Sequence, residues 1–154
     1  MLKKPKKILF FTLAAMVFAV TLLWLWCRPV KVIAVHQMNS SSIILVNQYP
    51  LTDKGKIEWW IKHKDVLKTK YNIPVIDENG NYKVILWGFG DGYKEEGKYD
   101  RLCFDDMNSP KNCVDKNALM IVNHYKDDIT DFSAGEDIYT IDNNGEVVKT
   151  KRNW

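Results

Sequence analysis

Ile8-Leu9-Phe10-Phe11-Thr12-Leu13-Ala14-Ala15-Met16-Val17-Phe18-Ala19-Val20-Thr21-Leu22-Leu23-Trp24-Leu25-Trp26 is a run of 19 residues without a single charge. At about 1.5 Å per helical residue it spans about 28 Å, the thickness of a bilayer core. Its polar members are Thr12 and Thr21, whose hydroxyls can bond back to helical carbonyls, and Trp24 and Trp26 stand at one end, where an indole suits the headgroup layer. The run reads as one spanning helix. The competing reading is a cleaved signal peptide, with Lys3, Lys4, Lys6 and Lys7 as its basic region. Against it, no small-x-small pair follows the run, and Leu25 and Trp26 stand before Cys27 where a lipidation signal has small residues.

The flanks give the orientation. Four lysines precede the run and only Arg28 and Lys31 closely follow it, so the positive-inside bias puts residues 1–7 in the cytoplasm as a basic tail. Residues 8–27 are then the anchor in a bacterial inner membrane, in contact with the lipid bilayer. Residues 28–154 form a single periplasmic domain, since the 125 residues from Val30 onward suffice for one core and not two.

All 19 Asp and Glu follow residue 30, against 17 of the 22 Lys and Arg, so the outer segment carries a formal charge of −2. The basic character belongs to the anchor, no basic cluster interleaves with aromatics, and nucleic acid is not a partner on this reading. Cys103 and Cys113 fall in the outer segment around Asn108, Ser109 and Pro110. In an oxidising compartment they are expected to bond, restraining the unfolded chain by about 2–3 kcal/mol; two unpaired core thiols are the alternative.

The outer domain reads as α+β: a hairpin-rich antiparallel sheet of about seven strands with one main helix. Pro29 stiffens the exit from the membrane, and Val30–His36 already has strand character with no Gly/Ser linker before it. A second strand follows at Ile43–Tyr49, ended by Pro50. Thr52 and Asp53 then cap a helix from about Lys54 to Lys70 that places Ile57, Trp60, Ile61, Lys64 and Leu67 on one face. Asn79-Gly80 predicts a hairpin between strands at Pro74–Asp77 and Tyr82–Trp87. Further strands are expected at Lys98–Phe104, Ala118–Asn123 and Ile138–Ile141, the last turning at Asn144-Gly145 into Glu146–Thr150.

A search for chemistry yields no catalytic, cofactor-binding or metal-ligating set. His36, His63 and His124 stand in no metal-ligand spacing, and there is neither a nucleophile elbow nor a phosphate-binding loop. Gly88, Gly90 and Gly92 lack the following helix and the parallel βαβ unit of a dinucleotide site. The carboxylates cluster in Asn/Gly/Lys-rich loops, where solvated surface is the ordinary explanation. Binding is the better reading. The glycine-rich loop 88–97 runs into Tyr99 and Arg101 and on to the loop 105–111, combining backbone freedom, aromatics and acids. Phe89, Asp91, Tyr93, Glu95, Glu96, Tyr99, Arg101, Asp105 and Asp106 are therefore expected to form one recognition edge for a protein partner.

The anchor, Arg28–His36, Thr52–Trp60, Lys70–Pro74 and above all Phe89–Asp106 resemble the uncharacterised enterobacterial putative membrane protein family. That resemblance covers nearly the whole chain and implies a single N-terminal transmembrane helix, with no activity to carry over. By analogy of architecture, a small singly anchored periplasmic domain of this kind is expected to be an immunity protein or inhibitor of an antibacterial toxin or secreted effector. The alternative is an accessory or sensor subunit of a cell-envelope or secretion complex.

Overall fold

The computed structural model describes residues 4–142 and 144–150. Residues 1–3 of the basic tail, Asn143, residues 151–154 of the outer domain and the side chains of Lys4, Pro5 and Trp26 lie outside the described residues.

Helix α1 runs Lys4–Trp26, and every side chain from Lys6 to Leu25 is exposed. Thr12 donates to the Leu9 carbonyl (2.9 Å) and Thr21 to that of Val17, so neither hydroxyl needs a partner outside the helix. A helix apolar on all sides, with none of its length buried against the rest of the chain, is long and apolar enough to cross a membrane. Only Cys27, Arg28, Pro29 and Val30 separate it from the first strand.

The domain then follows as β1 (Lys31–Met38), β2 (Ser41–Asn47), α2 (Asp53–Tyr71), β3 (Tyr82–Gly88), β4 (Arg101–Cys103), β5 (Cys113–Asp115), β6 (Ala118–Tyr125), β7 (Ile129–Ala134), β8 (Asp137–Ile141) and β9 (Val147–Thr150). Seven strands form one sheet in the order β1-β2-β3-β6-β7-β8-β9, and β4 and β5 form a separate ribbon. The α+β class with one membrane-type helix and one main helix in the domain therefore holds.

One junction departs from a purely antiparallel sheet. β2 and β3 pair in parallel, with Ile43 opposite Ile85 and Leu45 opposite Trp87, and α2 is the crossover that such a pair requires. The expected strand at Pro74–Asp77 does not form, because β3 already has β2 on one side and β6 on the other. The Asn79-Gly80 turn is nonetheless there. The Gly80 amide donates to the Asp77 carbonyl (3.1 Å), and the Asp77 carboxylate accepts from the amides of Asn79 and Asn81. The expected strand at Lys98–Phe104 shortens to β4, while β7 arises beside the acidic Asp127 and Asp128, where sequence pattern predicted surface loop.

Thr52 caps α2, its hydroxyl accepting from the Gly55 amide at 3.1 Å. Gly55 is needed there, because a Cβ would sit 2.9 Å from Thr52 Oγ1 and 3.1 Å from Pro50 Cβ. Ile57, Trp60 and Leu67 are buried, but Ile61 is 37% exposed and Lys64 is exposed, so the apolar stripe is narrower than expected. The flank is carried instead by Trp59, edge-on to Tyr49 and stacked on His63 with centroids 4.7 Å apart.

Two cores result, one on each side of the sheet. Ile57, Trp60 and Leu67 of α2 cover Ile44, Val46, Val84, Leu86, Met120, Val122 and Phe132. On the opposite side Ile43 and Leu45 pack with Phe104 and Val114, which come from the segment between β3 and β6.

Truncating Trp60 to alanine is expected to destabilise the domain by about 3–5 kcal/mol, whereas Ile61→Ala costs less than about 1 kcal/mol. Denaturant unfolding of the two variants in detergent, followed by far-UV circular dichroism, checks the contrast.

Candidate functional site: a clamped loop cap

β1 carries an irregularity between Val32 and Ala34 that inserts one residue against β2. The insertion changes the phase of the strand. Val32 and Val35 pack with the α2-side core, whereas Ala34 and Met38 pack with the opposite one. His36, between those two, is 6% exposed and lies against the segment 89–114.

Three contacts hold the imidazole. Nδ1 is 2.9 Å from both carboxylate oxygens of Asp106, Nε2 is 2.8 Å from the Tyr93 hydroxyl, and the ring stacks on Phe104 with centroids 3.8 Å apart. A carboxylate only accepts, so Nδ1 donates to Asp106, and Nε2 shares the remaining hydrogen bond with the Tyr93 hydroxyl. The partners lie 57 and 70 residues along the chain from His36. One side chain thus ties the first strand to both loops. Tyr93 reaches inward because the turn closed by the Gly92 amide on the Phe89 carbonyl (3.1 Å) puts Gly92 at φ +96°, where an L side chain is disfavoured.

The segment is cross-linked to itself as well. Cys103 and Cys113, opposite one another in the β4–β5 ribbon, are joined by a disulfide. Lys94 pairs with Cys113 through two backbone hydrogen bonds, 2.7 and 3.0 Å, extending the ribbon by one bridge. Arg101 donates from Nε to Asp115 at 2.9 Å and from Nη1 to the Glu95 carbonyl at 2.6 Å, while Lys94 bonds the other oxygen of Asp115. Trp87 Nε1 donates to the Asp115 carbonyl at 2.9 Å, joining this cluster to the main sheet.

The residues expected at a recognition edge therefore divide. Phe89 and Tyr93 pack into the cap's own core, Arg101 is spent on Asp115 and the Glu95 carbonyl, and Asp106 holds His36. Asp91, Glu95, Glu96 and Asp105 are exposed, together with Asp100, although Lys94 pairs with Asp91 (3.5 Å) and Lys116 with Asp100 (2.6 Å), and Tyr99 is 61% exposed with the Arg101 guanidinium 4.7 Å from its ring centroid. These solvent-facing residues are the candidate contact surface: acidic, bearing one aromatic, and mounted on a braced support. His36 and Asp115 were not singled out in the sequence, because their partners are remote along the chain. The local sign available for His36 was its place between Ala34 and Met38 in the strand alternation.

Asp106, His36 and Tyr93 have the connectivity of an acid–base relay. Burial, and then the Asp106 charge, push the Tyr93 hydroxyl above its ordinary range, so it is kept as a neutral phenol rather than activated. The trio acts as a clamp. Among the described residues no group of three or more His, Cys, Asp or Glu is placed to hold a metal ion.

The profile of the family described as "Enterobacterial putative membrane protein (DUF943)" matches residues 2–151. The chain belongs to that family. The match spans the apolar helix, the sheet and the loop cap alike. Among the curated proteins and the solved structures nothing matches the chain.

Lys94, followed by Arg101, holds the Asp115 carboxyl below the ordinary carboxylate range through hydrogen bonds and charge. A carboxyl lowered on folding contributes stability that is fully present above its unfolded pKa and is lost as pH falls through its folded one. The denaturation midpoints of wild type and Asp115→Asn are thus expected to differ by a constant amount from neutral pH down to the ordinary carboxylate range. They converge only in more acidic solution. Convergence already near neutral pH would contradict this placement.

Proposed function

We propose that this chain is a membrane-tethered binding protein that neutralises an antibacterial toxin or secreted effector. Its tail (1–7) is cytoplasmic, its anchor (8–27) crosses the bacterial inner membrane and its domain (28–154) works in the periplasm. The four lysines before the apolar run support that orientation, and the Cys103–Cys113 pair suits an oxidising compartment.

The observation that carries the binding reading is the mechanical character of the loop cap. A surface built only to cover a sheet has no need of Asp91, Glu95, Glu96, Asp100 and Asp105 facing outward around an exposed Tyr99. A braced loop loses little conformational entropy on docking, which favours tight association. The acidic rim steers a basic partner toward it, and the tyrosine supplies contact area of the kind that interface centres use. The four-residue connection from α1 to β1 keeps the domain beside the bilayer, where an agent attacking the membrane or the wall arrives.

Affinity isolation of the full-length tagged protein from gently solubilised membranes, with and without the products of neighbouring genes, tests this. A single neighbouring toxin recovered in roughly equal amount is the expected result. Tyr99→Ala and the paired change Glu95→Ala/Glu96→Ala then each weaken its binding by about tenfold or more, with unchanged unfolding midpoints. Resident envelope proteins recovered instead, with no toxin present, would replace this reading by that of an accessory or sensor subunit of an envelope or secretion complex.

A further inference from the structure

The end of the apolar helix is followed by two cations, Arg28 and Lys31. Arg28 and Lys31 take part in none of the ion pairs among the described residues. Arg28 Nε is buried with no hydrogen-bond partner among them, a costly state for a guanidinium nitrogen. The group is nonetheless well positioned, its guanidinium carbon lying 3.9 Å from the centroid of the Trp24 ring.

Arg28 stands between two hollows. One, of about 210 Å³, is bounded by Leu25, Gln48, Pro50, Leu51 and Thr52 as well as by Arg28. The other, of about 380 Å³, shares Arg28 and Gln48 and adds Trp24 and Lys31. Their level is set by the apolar span, which ends at Leu25, a lining residue of the first. An apolar helix ends where the headgroups begin, so the hollows open at the depth of the phospholipid phosphates. Leu51, 91% exposed, presents an apolar side chain at the same place.

We infer that this exit is a binding site for an anionic phospholipid headgroup, of the phosphatidylglycerol class, in the leaflet from which the domain emerges. The planar guanidinium of Arg28, stacked on Trp24, takes two phosphodiester oxygens. Lys31 adds a second positive charge, Gln48 and Thr52 offer hydrogen bonds to the headgroup hydroxyls, and Leu25 and Leu51 meet the glycerol and the first methylenes. The site orients the domain on the membrane surface, independently of whatever the loop cap binds.

The test uses the full-length protein reconstituted into vesicles of equal parts phosphatidylethanolamine and phosphatidylglycerol, released into mild detergent and weighed by native mass spectrometry. Phosphatidylglycerol is expected to be retained in preference to phosphatidylethanolamine. Arg28→Gln and Lys31→Gln are each expected to reduce that preference by about fivefold, the amount one basic residue contributes beside an anionic surface, with Arg28→Lys intermediate. Lys31 is exposed, so its variant reports on binding even if Arg28→Gln fails to fold. Equal retention of the two lipids by wild type, or an undiminished preference in Lys31→Gln, overturns the site. In a second arm inorganic phosphate is added to lipid-free protein in detergent. Binding there as strong as that of phosphatidylglycerol would assign the site to free phosphate instead of lipid.

Discussion

Strand β2 is buried along five consecutive residues, Ser42 to Val46, and the remaining architecture answers to that constraint. Ile43 and Leu45 leave water on one side of the sheet and Ile44 and Val46 on the other, so two covers are required. The helix α2 supplies the first while also serving as the crossover from β2 to β3. Among the described residues the domain has no second long helix, and the other face is closed by a segment of loops carrying only six residues of strand. Such loops have little regular hydrogen bonding to stiffen them. The disulfide, the Asp115 cluster and the His36 clamp supply what regular structure would otherwise provide.

That arrangement explains how one segment can be core on its inner side and solvent-facing on its outer side. Phe104 and Val114 are fully buried beneath it, while Tyr99 and five carboxylates stand above. Bracing needed for stability also holds the outward side chains in place, since they are carried on a support whose inner residues cannot move without exposing Ile43 and Leu45. The anchor contributes position. With four residues between α1 and β1, the domain begins directly at the end of the apolar helix.

Much of this was legible in the sequence. The uncharged run 8–26, the β-branched stretches of β1, β2 and β3, the Thr52 cap and the Asn144-Gly145 turn each rest on neighbouring residues, and each leads to the element found. What pattern missed depends on remote partners. The hairpin expected at 74–87 fails because β3 has no free edge, a fact of sheet order. The sign of the parallel pair was nevertheless present, since Ile43-Ile44-Leu45-Val46 and Val84-Ile85-Leu86 are continuous apolar runs rather than alternating ones. β7 was masked by Asp127, Asp128 and Asp131, although Phe132 and Ala134 are buried. Tyr93, Arg101 and Asp106 looked like contact residues by composition; Tyr93 and Asp106 are tied down by His36, which the irregularity of β1 brings beneath them, and Arg101 by the equally remote Asp115.

The loop cap is a layer of the fold, required by the second face of the sheet. Hydrogen exchange of the full-length protein in detergent, compared before and after reduction of the Cys103–Cys113 bond, tests this most directly. The prediction is that amides of β1, β2 and β3 lose protection together with those of residues 89–114, while β7 and β8 keep theirs. Loss of protection confined to residues 89–114, with β2 unchanged, would contradict it and make the cap an appendage on a sheet that is stable without it.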